Sequence, residues 1–285
     1  MRHWMNRYWP SSDGLRLHAR DYPAAEGDAR LPVICLHGLT RNAKDFAKLA
    51  PRIAQLRRRV LAVDVRGRGL SARAAPDTYQ LPCYAEDVER LAHALGIRQA
   101  IFIGTSMGGL ITMELAARSP DLIAAAIVND IGPRLASRGL ERIAGYVGTG
   151  GPVATWQEAA DHLRQLNAEA LPHYDAVDWQ DMAKRLYREA DGRIEADYDP
   201  AIATPFKTKP LVTDPQQRWD ALVRERPILL LRGERSDLLD QEAAEEMVAG
   251  HPDAALRIVA HVGHAPMLDE PDALAEIEGF LARLD

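Results

Sequence analysis

The run "GTSMG", Gly104 to Gly108, sets a hydroxyl between glycines where an apolar run, "QAIFI", gives way to a helical pattern from Met107. A serine there could simply cap the helix. In the strand–turn–helix setting, G-x-S-x-G has a sharper meaning: a tight turn that holds a nucleophile in the open, flanked by glycines because bulk does not fit. The start of the helix adds N–H groups and a positive dipole end for a developing anion. The chemistry of such a serine is nucleophilic attack, and a hydroxyl attacks only when a base takes its proton. Nine histidines are available. His264 is placed for the task, in the short loop "VGHAP" after the last strand-like run, where a side chain can swing over a sheet edge. His261 lies nearer the strand end and reads as structural.

Such residues need a sheet whose strand ends meet along one edge. "LPVICLHG", "RRVLAVDVRGRG", "QAIFIG", "IAAAIVNDIGP", "RPILLLRG" and "ALRIVAHVG" are short apolar runs alternating with helical patterns. That rhythm indicates parallel strands covered on both faces, and right-handed crossovers make an α/β fold with a doubly wound, mostly parallel sheet the economical topology. At the N-terminus, "RHWMNRYWP" and "GLRLHARDYP" flank "SSDG", which predicts an edge hairpin.

The rhythm breaks between about Pro133 and Pro215, where helical patterns follow one another without strands. "TWQEAADHLRQLN" opens with Thr155 and Glu158 at capping-box spacing. "DWQDMAKRLYREA" is expected to start from an Asp178 cap, and "YDPAIATPFKTKP" is irregular. The expected organisation is a core first part over 1–133, an inserted helical cap over 134–214 and a core second part over 215–285. Tyr146, Trp156, Trp179 and Tyr187 of the cap could face a pocket or hold its small helices together.

With "HGLT" (His37–Thr40), "DVRGRGLS" (Asp64–Ser71), "GTSMGG", "RGERSD" (Arg232–Asp237) and "GHAP" (Gly263–Pro266) in this order, the chain resembles the α/β-hydrolase fold superfamily, in its cap-bearing serine esterase and lactonase branch. The resemblance implies a Ser106, Asp237, His264 triad in the order nucleophile, acid, histidine. Asp130, at the end of the preceding strand, is the alternative acid, with a turn residue as its plainer reading. It implies an oxyanion hole from the backbone N–H groups of Met107 and Leu39, each typically worth about 3–4 kcal/mol in the transition state. His37 takes a supporting role in loop geometry. Asp64, Arg66 and Ser71 read as a structural loop. Leu39, Met107, Ile131 and Met267 would give an apolar pocket, with Tyr146 and Trp156 as further candidates.

The totals are those of an ordinary globular protein and argue against disorder. The 285 residues are 47% hydrophobic and 27% charged, and 35 Lys and Arg against 41 Asp and Glu give a net charge of −6. That balance offers no electrostatic reason for nucleic acid or an anionic membrane as partner. No apolar run approaches the length of a membrane span, and the N-terminus lacks the apolar stretch of a signal peptide. Cys35 and Cys83 read as free thiols, so the expected setting is cytoplasmic. No Cys/His cluster has metal-ligand spacing and no nucleotide-binding glycine motif follows a strand, so no metal or cofactor is inferred. The expected partner is a small-molecule ester or lactone, hydrolysed through an acyl-enzyme. Two other readings stand beside it: hydrolysis of a carbon–carbon bond next to a ketone, lowered by Ala265 where a tryptophan often follows the histidine, and a non-enzymatic ligand receptor on the same fold.

Overall fold

Strands that are apolar at every position bury both faces, and the sheet is built around such strands. The computed structural model describes residues 4–25, 30–204 and 214–284. Its strands are β1 (Met5–Pro10), β2 (Arg16–Tyr22), β3 (Val33–Leu36), β4 (Val60–Asp64), β5 (Ala100–Thr105), β6 (Ile123–Asn129), β7 (Tyr187–Ala190), β8 (Arg193–Ala196), β9 (Ile228–Gly233) and β10 (Ala254–Val259). Eight of them form one sheet in the order β1-β2-β4-β3-β5-β6-β9-β10. It is parallel from β4 to β10, while β2 runs antiparallel to both of its neighbours. The β1–β2 hairpin turns at Ser11 to Gly14, as "SSDG" predicts, and Trp9 pairs with Leu17.

The helices are α1 (Leu49–Gln55), α2 (Leu81–Ala94), α3 (Met107–Arg118), α4 (Ser137–Tyr146), α5 (Trp156–Asn167), α6 (Ala176–Leu186), α7 (Pro215–Val223), α8 (Gln241–Val248) and α9 (Pro271–Ala282). Alternation along β5 divides the core. Phe102 packs with residues of α2, α3, α7 and α8, whereas Ile101 and Ile103 pack with residues of α1 and α9 on the opposite face. All three are fully buried. At about 1.5–3 kcal/mol per buried apolar side chain, this central strand is a main anchor of the sheet.

Between β6 and α7 the chain leaves the sheet. There α4, α5 and α6 form an inserted helical region, joined by a feature the sequence reading missed, the antiparallel hairpin β7–β8. The helix expected to run through "YREA" ends at Leu186, and "DG" at Asp191-Gly192, both at positive φ, makes the turn. α6 also starts earlier than expected. Asp175 is its cap and accepts the N–H groups of Val177 and Asp178, while Asp178 returns a bond to the Asp175 N–H as the other half of a capping box. Thr155 does cap α5, accepting the Glu158 N–H at 3.1 Å. Part of the "YDPAIATPFKTKP" stretch lies outside the described residues. Among the described residues, no helix is long and apolar enough to cross a membrane.

Candidate active site

Ser106 sits between β5 and α3 at φ 51°, ψ −115°, a strained conformation for a side-chain-bearing residue. Two glycines make it possible. A Cβ on Gly108 would lie 2.0 Å from the Leu36 carbonyl oxygen, and one on Gly104 would lie 2.5 Å from the Gly108 backbone. The turn is pinned by the Ser106 N–H on the Asn129 carbonyl (2.9 Å) and the Gly109 N–H on the Ser106 carbonyl (2.8 Å). The hydroxyl thus stands at the carboxyl edge of the sheet.

The loop after β10 brings His264 to it. His264 Nε2 lies 2.9 Å from Ser106 Oγ, and its Nδ1 lies 2.8 Å from Oδ2 of Asp130. Asp130 directly follows β6, at φ 57°, and is fully buried. Its carboxylate accepts two further bonds, from the Gly233 N–H (3.0 Å) and the Ser236 hydroxyl (2.7 Å). The last residue of β6 also serves the site. The Asn129 amide donates to Thr105 Oγ1 and to the Pro266 carbonyl, tying the serine strand to the histidine loop.

Asp237, the expected acid, is engaged elsewhere. Both its carboxylate oxygens accept bonds from Arg142 of α4, at 2.6 and 2.9 Å. Burial tends to raise the Asp237 carboxyl, but the Arg142 guanidinium outweighs it and holds the group below its ordinary value. The geometry therefore pairs His264 with Asp130, the alternative, because Ser236 turns into the site while Asp237 turns out toward α4. No signal in "RGERSD" marks this: that Ser236, and not Asp237, faces Asp130 appears only in the fold.

The loop after β3 completes the floor. His37 is fully buried, donates from Nδ1 to the Gly38 carbonyl (2.8 Å) and accepts the Val65 N–H at Nε2 (3.1 Å). Burial lowers its pKa to about 4, so it is neutral and holds the loop. Arg68 is also fully buried. It donates to the carbonyls of Leu39 (3.0 Å) and Arg66 (2.8 Å) and to the Tyr84 hydroxyl (3.1 Å), and it lies 3.5 Å from the Met107 sulfur. It bridges the two residues expected to supply oxyanion donors. Among the described residues, no acceptor takes the N–H of Leu39 or of Met107. Asp64 and Ser71 do bind a loop together: Asp64 accepts the N–H groups of Ala43 and Leu70, and Ser71 donates to the Asp64 carbonyl. Arg66 is clamped by Asp87 and Asp13. His261 is exposed and stands apart from the site.

Above this floor is a cavity of about 240 Å³. Ser106, His264, Leu39 and Met107 line its base, with Ile131 on the wall and Leu140, Ile143 and Tyr146 of α4 in the roof. Two expected pocket residues are not on its wall. Trp156 lies under the Lys184 ammonium, 3.6 Å from its ring centre, and Met267 is buried in the core with its sulfur 3.2 Å from Arg41 Nη1. Arg41, which the sequence reading passed over, does line it.

A family model of the alpha/beta hydrolase fold matches residues 32–271. The chain belongs to the α/β-hydrolase family. It is 33% identical over 260 residues to a 3-hydroxybutyrate-oligomer hydrolase of Cupriavidus necator, covering 87% of this chain and 88% of that one. It is 26% identical over 269 residues to the esterase YbfF of Escherichia coli, covering 91% and 96%. A crystal structure of an alpha/beta hydrolase from Novosphingobium aromaticivorans superposes with a TM-score of 0.92 at 47% identity, over 99% of both chains. Fold and relatives make this α/β-hydrolase a serine-dependent hydrolase of the esterase and lactonase type.

Proposed function

We propose that Ser106, His264 and Asp130 are the catalytic triad by which the protein cleaves a carboxylic ester or lactone through an acyl-enzyme. The observation that carries this is the unbroken chain of hydrogen bonds from Asp130 through His264 to Ser106 at the base of the cavity. The relatives' names, a 3-hydroxybutyrate-oligomer hydrolase and an esterase, support the ester as substrate.

The chemistry follows from the atoms. A carboxylate at Nδ1 accepts, so His264 carries its proton there and presents a lone pair at Nε2. As Ser106 Oγ bonds to the substrate carbonyl carbon, its proton passes to Nε2. The imidazolium so formed lies against the Asp130 charge. The carbonyl oxygen becomes an oxyanion and takes the free N–H groups of Met107 and Leu39, the latter held by Arg68 on its own carbonyl. Collapse expels the alkoxide, which takes the proton from Nε2. Water then enters, gives a proton to Nε2 and releases the acid by the same steps.

The segment 134–214 acts as the cap, since α4 and α5 lend side chains to the cavity wall. Two free cysteines, Cys35 buried, are in keeping with a cytoplasmic setting. The test is hydrolysis of p-nitrophenyl esters from acetate to octanoate by the wild type and Ser106→Ala. Turnover should fall about a million-fold in the variant with its melting temperature nearly unchanged. Retained activity in Ser106→Ala would overturn the assignment.

A further inference from the structure

Among the described residues, the cavity wall holds one cation whose hydrogen-bonding capacity is largely unspent. Arg41 lines the wall beside the nucleophile. Its Cδ and the Cβ of Ser106 both lie 3.8 Å from the point a Cβ on Gly38 would occupy, so a single glycine separates the two side chains. The Arg41 side chain is 15% exposed. Only Nη1 has partners, the Met267 sulfur at 3.2 Å and the Asp45 carboxylate at 3.5 Å, the outer limit of a hydrogen bond. Among the described residues, Nε and Nη2 have no acceptor. A guanidinium keeps its charge and presents donors in a fork that fits a carboxylate, so a largely buried one with its Nε/Nη2 edge free selects for an anion.

The other arginines near the cavity differ. Arg218 of the wall pairs with Glu114, and Arg142 of α4, which is not on the wall, is held by both oxygens of Asp237. The polar lining that remains includes Thr40, Thr105, Gln80 and Asn167, which carry no charge, and His162, which is bonded to the Tyr187 hydroxyl, so no other described arginine or lysine there competes with Arg41 for an anion.

We propose that Arg41 receives a carboxylate of the substrate, and that the preferred substrates are short esters carrying a free carboxylate a few bonds from the scissile carbonyl. This rests on the ester-hydrolase reading above. The carboxylate docks on Nε and Nη2, and the short spacing follows from the proximity of Arg41 to Ser106.

The test compares kcat/KM, by proton release, for monoethyl succinate and ethyl 4-methylpentanoate, in which an isopropyl group replaces the carboxylate. The wild type should favour the anionic ester by at least about tenfold. Arg41→Met should lower that ratio by about tenfold or more, Arg41→Lys should restore part of it, and added salt should shrink the wild-type preference. A wild-type ratio below one, or a ratio unmoved in Arg41→Met, overturns the proposal. Binding of monoethyl succinate to Ser106→Ala, measured by calorimetry, should likewise weaken about tenfold when Arg41→Met is added. Equal affinities would overturn the proposal. Should the wild type hydrolyse neither ester, the ester reading fails, and the binding measurement still judges Arg41.

Discussion

Asp130 and Asp237 follow neighbouring strands, β6 and β9, and their surroundings divide the work of the site. Asp130 ends its strand in a left-handed turn, fully buried, with a ring nitrogen, a hydroxyl and a backbone N–H all donating to it. Asp237 lies four residues past the end of β9, in a loop that meets α4, and its oxygens go to an arginine of the inserted region. One carboxylate is fixed by the sheet and can orient an imidazole. The other ties the roof to the floor. The contrast teaches that a strand-end aspartate is not made an acid by its place in the chain. What decides is which side chains its loop turns inward.

Replacing the two in turn should break this comparison most sharply. Asp130→Asn removes the acceptor that selects the His264 tautomer and compensates the imidazolium, so kcat should fall by about 10⁴ on any ester the wild type cleaves. Asp237→Asn, assayed beside it, should stay within about threefold, because its partner is Arg142 and not the ring. The opposite pattern would return the role to Asp237.

Ser236 offers a finer cut. Its hydroxyl donates to the same Asp130 oxygen as His264, and its oxygen accepts the N–H groups of Leu238 and Leu239. A hydrogen bond to a charged group contributes about 1.5–3 kcal/mol. Part of that orients Asp130, so Ser236→Ala should cost about tenfold in kcat with KM little changed. A drop as large as that of Asp130→Asn would mean that Ser236, and not the carboxylate, carries the burden.

What the residues disclosed in advance divides along the same line. The serine turn was legible because its cause is steric: Gly104 and Gly108 stand where another backbone comes within 2.5 Å or less of a missing Cβ. The sheet was legible because runs such as "AIFIG" are apolar at both faces. The acid was not, since "VNDIGP" and "RGERSD" both end strands and nothing in either string says which side chain turns inward. The roof was the least legible. Its helices are held by caps, ion pairs and one hairpin. Trp156 proved to stack under Lys184 instead of facing the cavity, an arrangement set by neighbours from other parts of the chain. Arg41 went unread because a lone arginine after "HGLT" acquires meaning only from what it fails to pair with.

The smallest effect separates stability from catalysis at Asp237. Its pair with Arg142 is a bidentate bond, partly exposed on the arginine side, and should stabilise the fold by about 1 kcal/mol. Because the folded protein lowers this carboxyl below its ordinary 3.8, the stabilisation is complete above the unfolded value and is lost as pH falls through the lowered one. The melting temperature of Asp237→Asn should therefore lie a few degrees below the wild type near pH 7, and the gap should close in acid, as pH falls below the ordinary carboxyl value. In the same variant kcat should stay near the wild-type value, since the Asp237 carboxylate is held by Arg142 and makes no hydrogen bond to the His264 ring. A large fall in kcat with no change in melting would place the carboxylate in the proton path after all, and the two aspartates would then have to be read as one coupled acid.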